Sequence, residues 1–166
     1  MASTHDWTPY TSVGNIPYYE GAGRFGVARF HIDMAAIHKA LAEVIDGSAS
    51  DVLQIWDIPA GAHILSARAY LWTPEGSAAT ITLGDGDSPA GFLASFSING
   101  LAKTTKMTLT TDAYGATCGR TYNATDTLDI VFGTHATIDT AVFDISVACI
   151  FFDEPDLATS APSTWK

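Results

Sequence analysis

An all-β, jelly-roll-like sandwich of two sheets, with one short helix and extended N- and C-terminal arms, is the fold the sequence predicts. Three observations predict it. Short runs alternating apolar with polar residues recur through the middle of the chain, the period of a strand with one buried face. Turn-forming clusters, Pro59-Ala60-Gly61, Pro74-Glu75-Gly76 and Gly84 to Gly91, separate the runs at short intervals. Only one segment carries a helical period.

Residues 1–23 read as an arm: Pro9 and Pro17 oppose a helix or a central strand, and no period is sustained. Its Trp7, Tyr10, Tyr18 and Tyr19 supply large contact area, as expected of a segment lying on a partner or across its own domain. Residues 24–153 form the core. Ala28, Phe30 and Ile32 alternate with Val27, Arg29 and His31 in a first strand. Asp33 can cap a helix over Met34 to Ile45, with Ile37, Leu41, Val44 and Ile45 on one face and Gly47 beyond its end. Strands follow at Asp51 to Ile58 and at His63 to Thr73. In the latter, Leu65, Ala67, Ala69 and Leu71 oppose Ser66, Arg68, Tyr70 and Trp72. Further strands fall at 79–83, at 92–98, at 106–110 with Met107 and Leu109 inward, at an edge piece over 119–122, and at 127–132. The clearest runs from Thr140 to Phe152, with Ala141, Phe143, Ile145, Val147, Cys149 and Phe151 on one face. Its other face also turns apolar, which predicts a central place in a sheet or cover by a partner. Residues 154–166 form a tail without a core pattern.

Hydrophobic residues make up 47% of the chain, enough for a full core, while charged residues are only 16%, so much of the surface is Thr, Ser, Ala, Gly and Asn. The 18 Asp and Glu against 8 Lys and Arg give a formal charge of −10. No basic cluster offers phosphate contacts, so neither nucleic acid nor an anionic membrane is an expected partner. The start has no basic segment leading into an apolar one, so no signal peptide is expected, and no apolar run is long enough to span a bilayer. Cys118 and Cys149 fit no disulfide spacing pattern.

Catalytic and cofactor motifs are weak. Gly21 to Gly26 spells GxGxxG, but a Pro- and Tyr-rich arm precedes it and a strand follows, so it reads as a joint between arm and core. Asp85-Gly86-Asp87-Ser88 reads as an Asp–Gly turn; a calcium site there would need more oxygen ligands than the loop supplies. His5, His31, His38, His63 and His135 are scattered and spell no zinc motif. No nucleophile elbow or phosphate loop occurs. The expectation is a binding protein, not an enzyme, with no cofactor and no metal.

The runs Asp51-Val-Leu-Gln-Ile-Trp-Asp-Ile-Pro-Ala-Gly61, Ala79-Thr-Ile-Thr-Leu-Gly-Asp-Gly-Asp87 with Gly91-Phe92, Tyr122 to Ile130 and Asp139 to Ile145 resemble small structural proteins of tailed bacteriophages. The likeness spans roughly residues 25 to 152, consists of strand and turn patterns, and is strongest to capsid decoration, or cement, proteins. The arm and the helix match no feature of that family. The resemblance implies a β-rich domain on the outer capsid surface of a virion, made in the host cytoplasm and often a dimer or trimer. It would clamp neighbouring major capsid subunits against the pressure of packaged DNA. The expected contact residues are Trp7, Tyr10, Ile16, Tyr18 and Tyr19 in the arm and Leu157 and Trp165 in the tail, since Trp and Tyr favour interfaces. The alternative is a phage tail or fibre component whose β-sandwich binds a receptor carbohydrate through Tyr70 and Trp72.

Overall fold

The computed structural model describes residues 4–6, 24–107, 112–135 and 137–151. In order these form β1 (Thr4–Asp6), β2 (Arg24–Asp33), α1 (Met34–Leu41), β3 (Val52–Ile58), β4 (Ala62–Thr73), β5 (Thr80–Gly84), β6 (Leu93–Ser97), β7 (Thr105–Met107), β8 (Arg120–Thr121), β9 (Asp126–Gly133) and β10 (Val142–Phe151). One sheet has the order β1-β3-β9-β5-β6 and the other β2-β10-β4-β7, with β8 also pairing β4. The antiparallel pairs β2·β10, β3·β9, β4·β7 and β5·β6 are nested one inside the next along the chain and fall alternately in the two sheets. That is a long hairpin rolled up on itself, the jelly-roll arrangement the sequence predicts.

The core lies between the sheets. Phe30, Ile32, Leu53, Ile81, Phe92, Phe132, Phe143 and Ile145 are buried there. β10 lies between β2 and β4, which accounts for its long apolar pattern. Arg24 at the start of β2 pairs with Phe151 at the end of β10, so the flanking segments leave from adjacent positions. Within the predicted arm, Thr4–Asp6 pairs in parallel with β3 and so forms the edge of that sheet. There His5 is buried, with Nδ1 2.9 Å from Glu43 Oε2 and Nε2 3.5 Å from Asp51 Oδ2.

Three expectations are corrected. The helix ends at Leu41, not Ile45: Asp33 caps its start by accepting from the Ala36 N–H at 3.1 Å, but Ala42 turns left-handed at φ 54°. His38 Nε2 then accepts the Ile45 N–H at 3.1 Å, so Ile45 enters the core from a loop while Val44 stays 55% exposed. In β4, Leu65 does not point inward. A bulge leaves it unpaired between Ser66 and Ile64, reverses the alternation, and puts Ile64 and Ala62 in the core. Met107 faces out and is 54% exposed, because it sits directly opposite Arg68, an outer-face residue. Leu109 lies outside the described residues. A bulge at Ile55 in β3 brings the consecutive Ile55 and Trp56 both into the core, with Trp56 against Phe30 at 5.9 Å.

Asp129 on β9 is a buried carboxylate whose Oδ1 has no hydrogen-bond partner among the described residues. Burial pushes its carboxyl above the usual range; Thr127 and Gln54 pull the other way, and the nearby Asp126 and Asp85 charges push it further up. A group with a raised carboxyl pKa opposes folding at neutral pH and ceases to do so once protonated. Asp129→Asn is therefore expected to stabilise the protein by about 1 kcal/mol at pH 7. Urea unfolding should show this gain shrinking as the pH falls, and a destabilised variant would refute the assignment.

Candidate functional site

The outer faces of the two sheets differ. On the β3-β9-β5-β6 sheet the outward positions include Gln54, Asp57, Thr127, Thr80, Thr82, Ser95 and Ser97, mostly polar apart from Val52 and Val131, and without a cation. The β2-β10-β4-β7 sheet carries cations, rings and apolar groups instead. Its register sets them out in rows: His31, Asp144 and Tyr70 lie side by side, and in the next row Arg29, Ser146, Arg68 and Met107. The small Ser146 between two arginines leaves a gap. With Tyr70, Trp72 and Asp144 it forms a groove of about 300 Å³.

Asp144 organises this groove. It is 3% exposed, on a strand whose other described outward positions are Val142, Ser146, Ala148 and Ile150. Its Oδ2 accepts from Arg29 at 2.5 Å and from the Trp72 indole N–H at 2.6 Å, and its Oδ1 lies 2.8 Å from His31 Nδ1. Burial alone would raise the Asp144 carboxyl, but the donors Arg29, Trp72 and His31, with the Arg29 charge, together hold it below the usual carboxylate range. A second bulge in β4 leaves Trp72 unpaired between Leu71 and Thr73, which aims its ring over the sheet. The Trp72 and Tyr70 rings meet edge to face at 4.6 Å, and the Arg68 guanidinium lies 5.8 Å from the Tyr70 ring centre. Arg68 has no carboxylate partner among the described residues, and the Arg29 side chain is 61% exposed. The groove thus presents two guanidinium groups and two ring faces around a carboxylate that is already fully engaged.

A second cluster closes one end of the sandwich. Asp85, 1% exposed, follows β5. Its Oδ1 accepts from the N–H groups of Asp87 at 3.1 Å and Ser88 at 2.8 Å and from the Tyr114 hydroxyl at 2.6 Å. Its Oδ2 accepts from the Tyr122 hydroxyl at 2.7 Å and lies 3.1 Å from Arg120 Nε. Arg120 also pairs with Asp87 and lies over the rings of Tyr114 and Tyr122, 5.0 and 5.4 Å from their centres. Burial, then the bond to Asp85, pushes both tyrosine hydroxyls well above their ordinary range. The chain must approach closely here: a Cβ on Gly91 would sit 2.2 Å from the Tyr114 ring, and Gly119 has φ +108°. Every Asp85 oxygen is taken by protein donors, which favours the turn over a calcium loop. Among the described residues no group of three His, Cys, Asp or Glu is placed to hold a metal ion.

The contact residues expected from the sequence (Trp7, Tyr10, Ile16, Tyr18, Tyr19, Leu157 and Trp165) all lie outside the described residues. Tyr70 and Trp72 do come together. Sequence reasoning missed their association with Arg29, His31, Arg68 and Asp144. The available signal was Asp144, a carboxylate in mid-strand on the face where Arg29 and His31 also point. Of the GxGxxG run, Arg24 to Gly26 opens β2, so a strand and not a helix follows the glycines. The two cysteines are free thiols, Cys118 exposed and Cys149 buried. Among the described residues no helix is long and apolar enough to cross a membrane.

No protein-family model matches the sequence, and no curated protein is significantly similar to it. Solved structures match it by shape. A chain in the capsid asymmetric unit of cyanophage Pam1 superposes with a TM-score of 0.58 at 12% identity, over 82% of this chain and 91% of that one. For the capsid of Ralstonia phage GP4 the values are 0.58 and 12%, over 92% and 100%. For the acidic stable capsid of Helicobacter pylori bacteriophage KHP30 they are 0.53 and 10%, over 76% and 87%. Each match takes in most of both chains, so each of these neighbours is itself a protein of about this size. The chain therefore has the fold of small proteins present in phage capsid structures.

Proposed function

We propose that this chain is a structural component of a phage virion and, within it, a decoration (cement) protein of the head. The observation that carries this reading is the fold shared, over nearly full length, with chains of three phage capsids. The chain acts by binding and not by turnover. Its partners are the major capsid protein and further copies of itself, as a dimer or trimer on the outer capsid surface, after synthesis in the host cytoplasm. The pairing of Arg24 with Phe151 supports a role for both arms, because the two flanking segments start from one corner and can reach the same neighbour. Two weak attachments from one corner reinforce each other through effective concentration. Binding that requires the assembled lattice then stabilises it by mass action.

Antibody to the recombinant chain, applied to particles purified from the culture that carries the gene, should label heads by immunogold microscopy. Deleting residues 1–20 should abolish binding to heads; unchanged binding would remove the arm from the mechanism. Label confined to tails would replace the cement reading with the tail or fibre alternative, which the Tyr70–Trp72 groove favours. Particles without label would end both.

A further inference from the structure

We propose that the groove on the outer face of the β2-β10-β4-β7 sheet binds an acidic saccharide. A sugar carboxylate sits between Arg29 and Arg68, and the sugar ring packs on Trp72 and Tyr70. The inference goes beyond the capsid role and does not depend on it.

Charge is the first argument. In a chain of formal charge −10 with only 8 Lys and Arg, two arginines and His31 project from one patch of one sheet. The arginines flank Ser146 on neighbouring strands, and strands lie roughly 4.8 Å apart, so the two guanidinium groups start about 10 Å apart across the gap. Both Asp144 oxygens are already engaged, by Arg29, Trp72 and His31, while among the described residues Arg68 has the Tyr70 ring and no carboxylate. An incoming carboxylate would complete the pair. Guanidinium suits that task, because its fork of donors matches two carboxylate oxygens.

Shape and surroundings are the second. The groove, about 300 Å³, matches the small end of ligand sites. Two ring faces beside two cations suit a ligand with one apolar C–H face and one charged edge, which is the character of a uronic or sialic acid. Preorganisation favours it as well: Asp144 holds the Trp72 indole and the Arg29 guanidinium in place before any ligand arrives. An acidic peptide fits less well. β10 is hydrogen-bonded on both sides, so the groove has no strand edge to pair with a peptide backbone, and recognition there must come from side chains.

The full chain should be titrated by calorimetry with trigalacturonic acid, a hyaluronan tetrasaccharide and 3′-sialyllactose, each beside its carboxyl methyl ester. At least one acid is expected to bind, with its ester weaker by roughly tenfold or more, the loss of one charge-assisted contact. Arg68→Ala should weaken the acid by a similar factor and leave the unfolding midpoint unchanged, because the side chain is exposed. Arg68→Lys should recover part of the affinity by restoring the charge without the fork. Silence of all three acids at millimolar concentration overturns the proposal. So does equal binding of acid and ester, or indifference to Arg68→Ala. Tighter binding of a tetraglutamate peptide than of any of the sugars would overturn it in favour of a protein ligand. Head labelling and sugar titration are separate readouts, so either reading can fail alone.

Discussion

Asp85→Asn is expected to lower stability by about 3 kcal/mol, which for a chain of this length lowers the melting temperature by roughly 6–12 °C. The substitution keeps the shape and removes the charge. Its new NH₂ then faces donors on every side: the N–H groups of Asp87 and Ser88, the hydroxyls of Tyr114 and Tyr122, and Arg120 Nε. Arg120 keeps only the exposed Asp87, and the buried hydroxyls lose the acceptor that made their burial tolerable. Tyr122→Phe removes one donor and leaves Asp85 with its other partners, so its expected cost is only about 1 kcal/mol. Scanning calorimetry of the two variants reads the contrast directly. If Asp85→Asn melts with the parent, the cluster is ornamental to the fold.

Glu75→Gln is expected to cost about 2–3 kcal/mol at neutral pH. Glu75 sits in the β4–β5 turn and fastens the strand of backbone leading into β10. Its Oε2 accepts from the N–H groups of Asp139, Thr140 and Ala141 at 3.2, 3.0 and 3.1 Å. Its Oε1 accepts from the Thr140 hydroxyl at 2.8 Å and the Gly76 N–H at 3.2 Å. Burial on its own would raise the carboxyl, but these five donors outweigh it and hold Glu75 below its ordinary range. The sign follows from that direction. A carboxyl with a lowered folded pKa contributes stability above its unfolded value of about 4.3, and the contribution is lost as the pH falls through the folded value. The parent and Glu75→Gln should therefore differ at pH 7 and converge in acid, with Asp144 adding acid sensitivity common to both. Urea midpoints taken across the acid range test this, and a constant difference would show that ionisation of Glu75 plays no part.

Much of the fold was legible because its strands are half-buried, and half-burial writes a period of two into the sequence. β2 alternates cleanly, β9 and β10 do so apart from the buried Asp129 and Asp144, and the buried faces of β2 and β10 are the predicted ones. What failed was local geometry that periodicity does not encode. The bulge at Leu65 inserts one residue, and every inward assignment before it flips. The helix stops where Ala42 turns left-handed, and the His38 side chain then receives the Ile45 N–H across a loop, a contact invisible to helical spacing. Met107 looked like a core residue because its strand is short, and a three-residue strand has too few positions to show which face is which. The groove was half legible: Tyr70 and Trp72 share a face by spacing alone. Their link to Arg29 and Asp144 needed the pairing of β2 with β10, strands more than a hundred residues apart. The Asp85 cluster was equally hidden, since Tyr114, Arg120 and Tyr122 reach it from another turn.

The place of β10 between β2 and β4 bears on how the protein is made. Both neighbours are synthesised long before it, and on the ribosome they wait with unpaired edges until residues 142–151 emerge. A nascent chain cut short before that strand cannot close the sheet, however much of the rest it contains. Closure of this sheet is thereby deferred until residues 142–151 have been made, and a product terminated before them is left open to proteases.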